Sequence, residues 1–369
     1  MSIRLNDVND FDSKECLVPV LETTGVKLRS HAKQETQALK ISLADCITCS
    51  GCITSAEEVF ISQSNMEQLR LLINGDVPMR FLLSTPSILS ISVTLNITSS
   101  QLFDLLNKTF PLHQFTSEST QQQIWANALV TRTLENLNNG PQLVTHCPAV
   151  RLFLNKRCPE LLRFMTNLSS PFEMFLNENE NGVGIQQCQD RKLEAFRWEK
   201  KCFTSLDLIN IINENVQEKM VKDSHVDDWS GYQYVNQLMK VVGQHTEEKG
   251  INKDQTVYKF MYEGKEITLY WSRTMKNLEN LIRKKNKIQP NEIYYLEACP
   301  RGCFGGANLA HNEQHPLQEV SMQIHNSLVN AEFGYEPTNI IETKVVAVDM
   351  KSPEEIAREK GIKVADMQW

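Results

Sequence analysis

The chain has 369 residues, 41% of them hydrophobic and 22% charged, with a formal net charge of -7 and a pI near 5.7. That length supports two or three domains around a substantial core, and the acidic balance gives no electrostatic case for nucleic acid or an anionic membrane as partner. The opening run MSIRLNDVNDFDSKE is acidic and has no apolar centre, so it matches neither a signal nor a transit peptide. The longest apolar stretch, Phe81 to Ile97, carries Ser84, Thr85, Pro86, Ser87, Ser90, Ser92 and Thr94, which argues against a membrane span. The expected location is therefore the cytoplasm, with the nucleus as a further destination. Thiols stay reduced there, and the ten cysteines read better as ligands than as disulfides.

Taken in chain order, residues 1–74 form a first unit. Leu39 to Leu43 reads as a strand leading into a cysteine loop, and Ser55 with Glu58 three places on is a capping box opening a short helix. Beyond it, strand-like runs at Arg80–Leu83, Gln142–Thr145, Gly182–Ile185 and Ile293–Leu296 alternate with stretches of helical length at Ser100–Thr109, Gln121–Leu137, Ser205–Asn215 and Thr274–Lys287. This alternation predicts an α/β domain with mostly parallel sheets over residues 75–351. Residues 243–256 read as a charged linker, and the basic run Arg283 to Lys287 as a solvated helix end. Residues 352–369 read as a helix, capped at Ser352 and stopped at Gly361, followed by an exposed tail.

Cys46, Cys49 and Cys52 stand in DCITCSGC. A Cys-x2-Cys-x2-Cys loop curls so that three thiolates converge on one small cluster, whereas zinc sites more often use two separated pairs; a zinc loop is the less favoured reading. The two-cluster ferredoxin pattern would place another cysteine where Ala56 stands. The fourth ligand must come from elsewhere, and Cys16 is the other cysteine of this unit.

Cys299 and Cys303 stand in EACPRGCFGG, and Gly302, Gly305 and Gly306 beside them predict a close approach of bare backbone to a bulky group. This pair lacks two ligands for a cubane. Cys147, in THCP, and Cys188, in QQCQDRKLE, are candidates because each follows a strand-like run, as Cys299 does, and open α/β sheets bind ligands at the carboxyl ends of their strands. Cys158 and Cys202 suit the plainer role of small buried residues.

Together KISLADCITCSGCITSAEEVFIS at 40–62, HCPAV at 146–150, the PELL and SSP segments at 159–171, CQDRKLEAFR at 188–197 and LEACPRGCFGG at 296–306 resemble the iron-only hydrogenase-like family. Within it they resemble the cytosolic iron-sulfur assembly factors of the Nar (nuclear prelamin A recognition factor-like) type. The resemblance implies a two-lobed hydrogenase-like domain after a small ferredoxin-like unit, and two [4Fe-4S] clusters. One cluster would use Cys16, Cys46, Cys49 and Cys52, and the other Cys147, Cys188, Cys299 and Cys303. It implies a carrier or adaptor delivering clusters to cytosolic and nuclear apoproteins, beside a targeting complex with a β-propeller subunit. The ending Met367-Gln368-Trp369 is similar to the short aromatic tails that bind that complex, with Gln368 departing at the middle place.

The chain also departs from true hydrogenases. They carry a proton-relaying cysteine where His146 stands, Met-Pro where Gln186-Gln187 stands, and a lysine holding a cyanide ligand where Arg191 stands, with Lys192 one place further on. Those departures favour an assembly factor over a redox enzyme or electron-transfer protein of the same family. His146 and Glu297 have plain readings as a structural imidazole and a supporting carboxylate. The chain is shorter than the family leads one to expect, which implies less cover over the second cluster.

Overall fold

The computed structural model describes residues 65–166, 168–215 and 233–329. Their strands in chain order are β1 (Arg80–Leu83), β2 (Gln114–Ser117), β3 (Gln142–Val144), β4 (Gly182–Gln186), β5 (Lys201–Thr204), β6 (His245–Lys249), β7 (Gln255–Tyr262), β8 (Lys265–Arg273) and β9 (Glu292–Glu297). They form two sheets, ordered β2-β1-β4-β5 and β3-β9-β8-β7-β6. All neighbours in the first are parallel. In the second, β3-β9 and β9-β8 are parallel, while β8-β7 and β7-β6 are antiparallel. The α/β class and the two-lobed, largely parallel architecture agree with the sequence reading.

The parallel lobe owes its order to continuous apolar runs. Phe81, Leu82 and Leu83 are fully buried, as are Val183 and Ile185 in β4 and Phe203 in β5, the pattern of strands covered on both faces. The segment after β1 is a helix, Thr85–Leu95, buried on nearly every side. Ser84 caps it by accepting from the Ser87 N–H, Pro86 sits in its first turn, and Asn96 ends it in the left-handed conformation at φ 56°. Ser90 and Thr94 survive burial by back-bonding, Ser90 Oγ donating to Ser87 O and Thr94 Oγ1 to Ser90 O, whereas the Ser92 hydroxyl is buried without a partner. Capping boxes also open the helices Ser99–Thr109, through Thr98 and Gln101, and Pro171–Glu178, through Ser170 and Glu173.

Residues 243–256 are not the linker their charge suggests. They hold β6, paired antiparallel with β7 from His245↔Phe260 to Lys249↔Thr256. All five residues of β6 are exposed, so no apolar alternation marks the strand, and a charged edge is what keeps it from pairing further. The next turn, Glu263-Gly264, takes positive φ at both residues (49° and 77°) and joins β7 to β8 as a two-residue hairpin. The basic run does end a helix: Met275–Arg283 stops at Lys284 and a 3-10 turn follows, with Lys285 paired to Glu160 on the surface. No helix among the described residues is long and apolar enough to cross a membrane.

One segment ties the lobes together. Beyond Cys303 the chain crosses to the parallel lobe, where Asn308 N–H donates to Gln187 O, Ser205 Oγ to Asn308 O, and Ala310 N–H to Ser90 Oγ. The carboxyl ends of β3, β4 and β9 therefore face a common cleft.

Candidate metal centre

Cys147 lies three residues past the end of β3, Cys188 two past β4 and Cys299 two past β9. Parallel strands end on the same side, so these three cysteines, predicted to follow strands, reach one place from two sheets. With Cys303 from the turn Gly302–Gly305 they line a single cleft of about 350 Å³, together with Gln187, Asp190, Arg191, Glu297 and Ala298. The four thus meet as the sequence reading grouped them. Cys16, Cys46, Cys49 and Cys52 lie outside the described residues, as does the ending Met367-Gln368-Trp369. Cys158 and Cys202 are each 1% exposed within apolar clusters, away from the cleft.

Local bonds set each cysteine. Thr145 Oγ1 donates to Leu296 O (2.7 Å) and accepts from the Cys147 N–H (3.0 Å), linking the ends of β3 and β9. Cys147 then stands at the N-terminus of the helix Pro148–Arg157, and the backbone N–H groups of Val150 and Ala298 point at its sulfur. Below the Cys303 turn, Glu297 accepts from Trp271 Nε1 at 2.8 Å and from the Cys303 N–H, anchoring the loop to β8. The glycines serve this packing first. A Cβ on Gly302, at φ 63°, would sit 2.5 Å from Glu297 Oε1; one on Gly305 would sit 1.8 Å from Pro300 O, and one on Gly306 2.6 Å from Gln187 O. The close approach expected of these glycines is thus to the protein's own backbone and to Glu297.

Electrostatics separate the thiols from water. Burial pushes all four upward: Cys147 with help from Asp190, Cys188 well above its ordinary value with help from Asp190, Cys299 well above it with help from Cys147, and Cys303 strongly despite the Arg191 charge. Cys188, Cys299 and Cys303 keep partial exposure while lining the cleft. Four soft donors that burial keeps protonated are a set that a positive metal centre would deprotonate and hold, and the donor chemistry fits an iron-sulfur cubane.

A second cavity, of about 550 Å³, lies on the other side of Cys303. It shares Gln187, Arg191, Glu297 and Cys303 with the first and adds Glu118, Trp125, His146, Tyr234 and Tyr295. Arg191 and Glu194 form a buried ion pair at 2.6 Å, with side chains 5% and 3% exposed. Burial raises the Glu118 carboxyl to about 7 even though the Arg191 charge opposes it. Burial first, then the Arg191 and Arg151 charges, lower His146 to about 3, so the imidazole is neutral. His146 Nε2 lies 3.1 Å from Cys303 Sγ, and its Nδ1 lies 3.0 Å from the Tyr295 hydroxyl. Ligand atoms of His146, Glu297 and Cys303 fall within 4.8 Å of one another, but Glu297 is occupied by Trp271 and the Cys303 N–H. The supporting role read for Glu297 is the one it plays.

Sequence reasoning missed Thr145, Trp271, Tyr295 and Glu118. Tyr295 and Trp271 carry no motif and look like ordinary strand residues, and Glu118 directly follows a strand, β2, that has no sequence signal of its own.

Two α/β lobes with a cysteine-lined cleft between their strand ends define the fold class of the iron-only hydrogenases. [FeFe]-hydrogenase HydA1 of Chlamydomonas reinhardtii superposes with a TM-score of 0.57 at 13% identity, over 72% of this chain and 89% of that one. Residues 92–307 match the model of the iron only hydrogenase large subunit, C-terminal domain, and the chain belongs to that family. Its curated relatives include a probable cytosolic Fe-S cluster assembly factor of Culex quinquefasciatus, 22% identical over 88% of this chain and 87% of the relative. Another is the cytosolic Fe-S cluster assembly factor NAR1 of Vanderwaltozyma polyspora, 27% identical over 59% of this chain and 45% of the relative. The Nar-type resemblance seen in the motifs is found again in these relatives.

Proposed function

We propose that this protein works in cytosolic iron-sulfur protein assembly, holding one [4Fe-4S] cluster on Cys147, Cys188, Cys299 and Cys303 and a second on Cys16, Cys46, Cys49 and Cys52. It acts as a carrier or adaptor toward apoproteins and does not turn over hydrogen. The observation that carries this reading is the convergence of four cysteines, from three strand ends in two sheets and one turn, on a single cleft. The relatives named as assembly factors support the biological role. His146, Gln187 and Arg191, at the places where hydrogenases use other residues, support a non-hydrogenase activity; Arg191 in particular is engaged with Glu194.

The chain's own residues would hold and orient the cluster: Val150 and Ala298 N–H groups toward Cys147, Glu297 and Trp271 beneath the Cys303 turn, and Thr145 between strands. When bound, the cluster supplies the iron and sulfide to be handed on. Anaerobic reconstitution with iron, sulfide and zinc analysis tests the reading, together with electron paramagnetic resonance of the reduced form. Two cubanes require about eight irons per chain with equal sulfide. Zinc without acid-labile sulfide overturns the proposal, and hydrogen evolution from an artificial electron donor overturns its non-enzymatic part.

A further inference from the structure

Cys303 differs from Cys147 in what its sulfur meets. Backbone N–H groups approach Cys147, whereas side chains approach Cys303: the His146 ring, with Nε2 at 3.1 Å, and Gln187. Behind His146 stands Tyr295, 4% exposed, with its hydroxyl 3.0 Å from Nδ1. Aromatic contacts hold the imidazole plane. Trp125 meets it edge-on with ring centroids 5.4 Å apart and 74° between planes, and Tyr295 stacks at 6.1 Å.

The direction of these two bonds follows from ligation. A cysteine sulfur bound to metal is a thiolate and accepts hydrogen bonds without donating. The Nε2 atom facing it must then carry the ring proton. A neutral imidazole with Nε2–H has a bare Nδ1, and that atom accepts from the Tyr295 hydroxyl. The thiolate therefore selects the tautomer, and the Tyr295 hydroxyl, able to donate or to accept, supports it by donating to Nδ1. We infer that His146, supported in this tautomer by Tyr295, donates a hydrogen bond to the Cys303 sulfur and thereby raises the reduction potential of the cluster in the cleft. The inference rests on the cluster assignment above. The physical reason is charge: reduction adds negative charge that spreads onto the cluster sulfurs, and an N–H aimed at a sulfur stabilises the reduced state more than the oxidised one. His146 is on this account a positioning and tuning residue, not a ligand. If it merely filled space, the potential would not depend on its donor.

The test uses the full chain carrying Cys49→Ser, so that the reduced-state resonance comes from the cleft, in an equilibrium redox titration after anaerobic reconstitution. His146→Leu should move the midpoint to a more negative potential. His146→Gln, whose amide nitrogen can stand where Nε2 stands, should return it toward the parent value. Tyr295→Phe should shift it in the same direction as His146→Leu but by less, and should add nothing in the His146→Leu background, because it acts through the histidine. An unchanged midpoint in loaded His146→Leu overturns the inference, as does a Tyr295→Phe shift that persists without His146. If His146→Leu fails to retain iron, the Tyr295→Phe titration decides, and no shift there overturns it equally. Failure of the underlying assignment is seen separately and earlier: the Cys49→Ser parent would then contain no four-iron cluster by iron and sulfide analysis, and the inference would fall with it.

Discussion

The two lobes are built on different economies of burial, and they serve the site differently. In the parallel lobe every strand is short, and the apolar runs of β1 and β4 are buried on both faces; it brings Cys188 and Arg191, the latter paired with Glu194, to the cleft, and Glu118 to the neighbouring cavity. In the mixed lobe β3 and β9 bring Cys147, Cys299 and Cys303, while β7 and β6 continue the sheet outward to an edge that is exposed throughout. Parallel neighbours place their carboxyl ends side by side, so ligands gather there, and the antiparallel extension supports the lobe without reaching the site. Perturbation near the parallel core and the shared cleft should therefore cost far more than perturbation at the outer edge.

The sharpest way to break that contrast is to remove one thiolate from each lobe. Cys188→Ala and Cys147→Ala should each abolish the cleft cluster completely while leaving the other cluster loaded, measured by iron and sulfide content. Cys16→Ala should do the reverse. A single-lobe cluster would spare one of the first two variants.

Next in size is Glu194→Ala, which strands the Arg191 guanidinium without its buried partner. About 3–5 kcal/mol of destabilisation is expected from denaturant unfolding. Gly184→Ala follows, since its Cβ would lie 2.3 Å from Phe172 Cζ in the packed parallel lobe. Overpacking there should cost on the order of 1–3 kcal/mol, read as a lowered midpoint of unfolding.

Glu118 gives a pH-dependent effect. Its carboxyl is raised by burial from 4.5 to about 7, so the folded state holds the proton more tightly than the unfolded state. The resulting stability is full below the unfolded value and is lost as pH rises through the folded one. Glu118→Gln should therefore gain stability relative to the parent by about 2 kcal/mol between roughly pH 5 and pH 8. Parallel unfolding curves at the two pH values would contradict the burial of an ionisable group there. The smallest effect is expected on the outer strands, where Lys259 and Glu248 pair at 2.9 Å with both side chains well exposed. Lys259→Ala should change stability by less than about 0.5 kcal/mol, and a larger loss would mean that the edge is more than a cover.

Much of the site was legible because its chemistry is local. Cys-x3-Cys with glycines, and cysteines two or three residues beyond apolar runs, mark ligand positions without reference to any distant residue. The fold was legible where apolar patterning is strong, as at β1, β4 and β9, and illegible where it is weak. Exposed β6 carries no apolar residue to alternate, and β2 is too short and polar to stand out from a turn. The helix Thr85–Leu95 was hidden for another reason: serines and threonines such as Ser90 and Thr94 look like helix breakers until their back-bonding and burial are seen.

What the sequence by itself determined is the inventory: ten cysteines, with Cys147, Cys188 and Cys299 following strand-like runs and Cys303 close behind, and the family's motifs in order. Only the tertiary structure decided which groups meet. Thr145 locks β3 to β9, Asn308 reaches back to Gln187, Trp271 on β8 holds Glu297, and Tyr295 holds His146 against Cys303. These contacts join residues far apart in the chain. Their partners are chosen by strand register and by the crossing of one segment between the lobes, and both depend on long-range packing that short-range spacing does not encode.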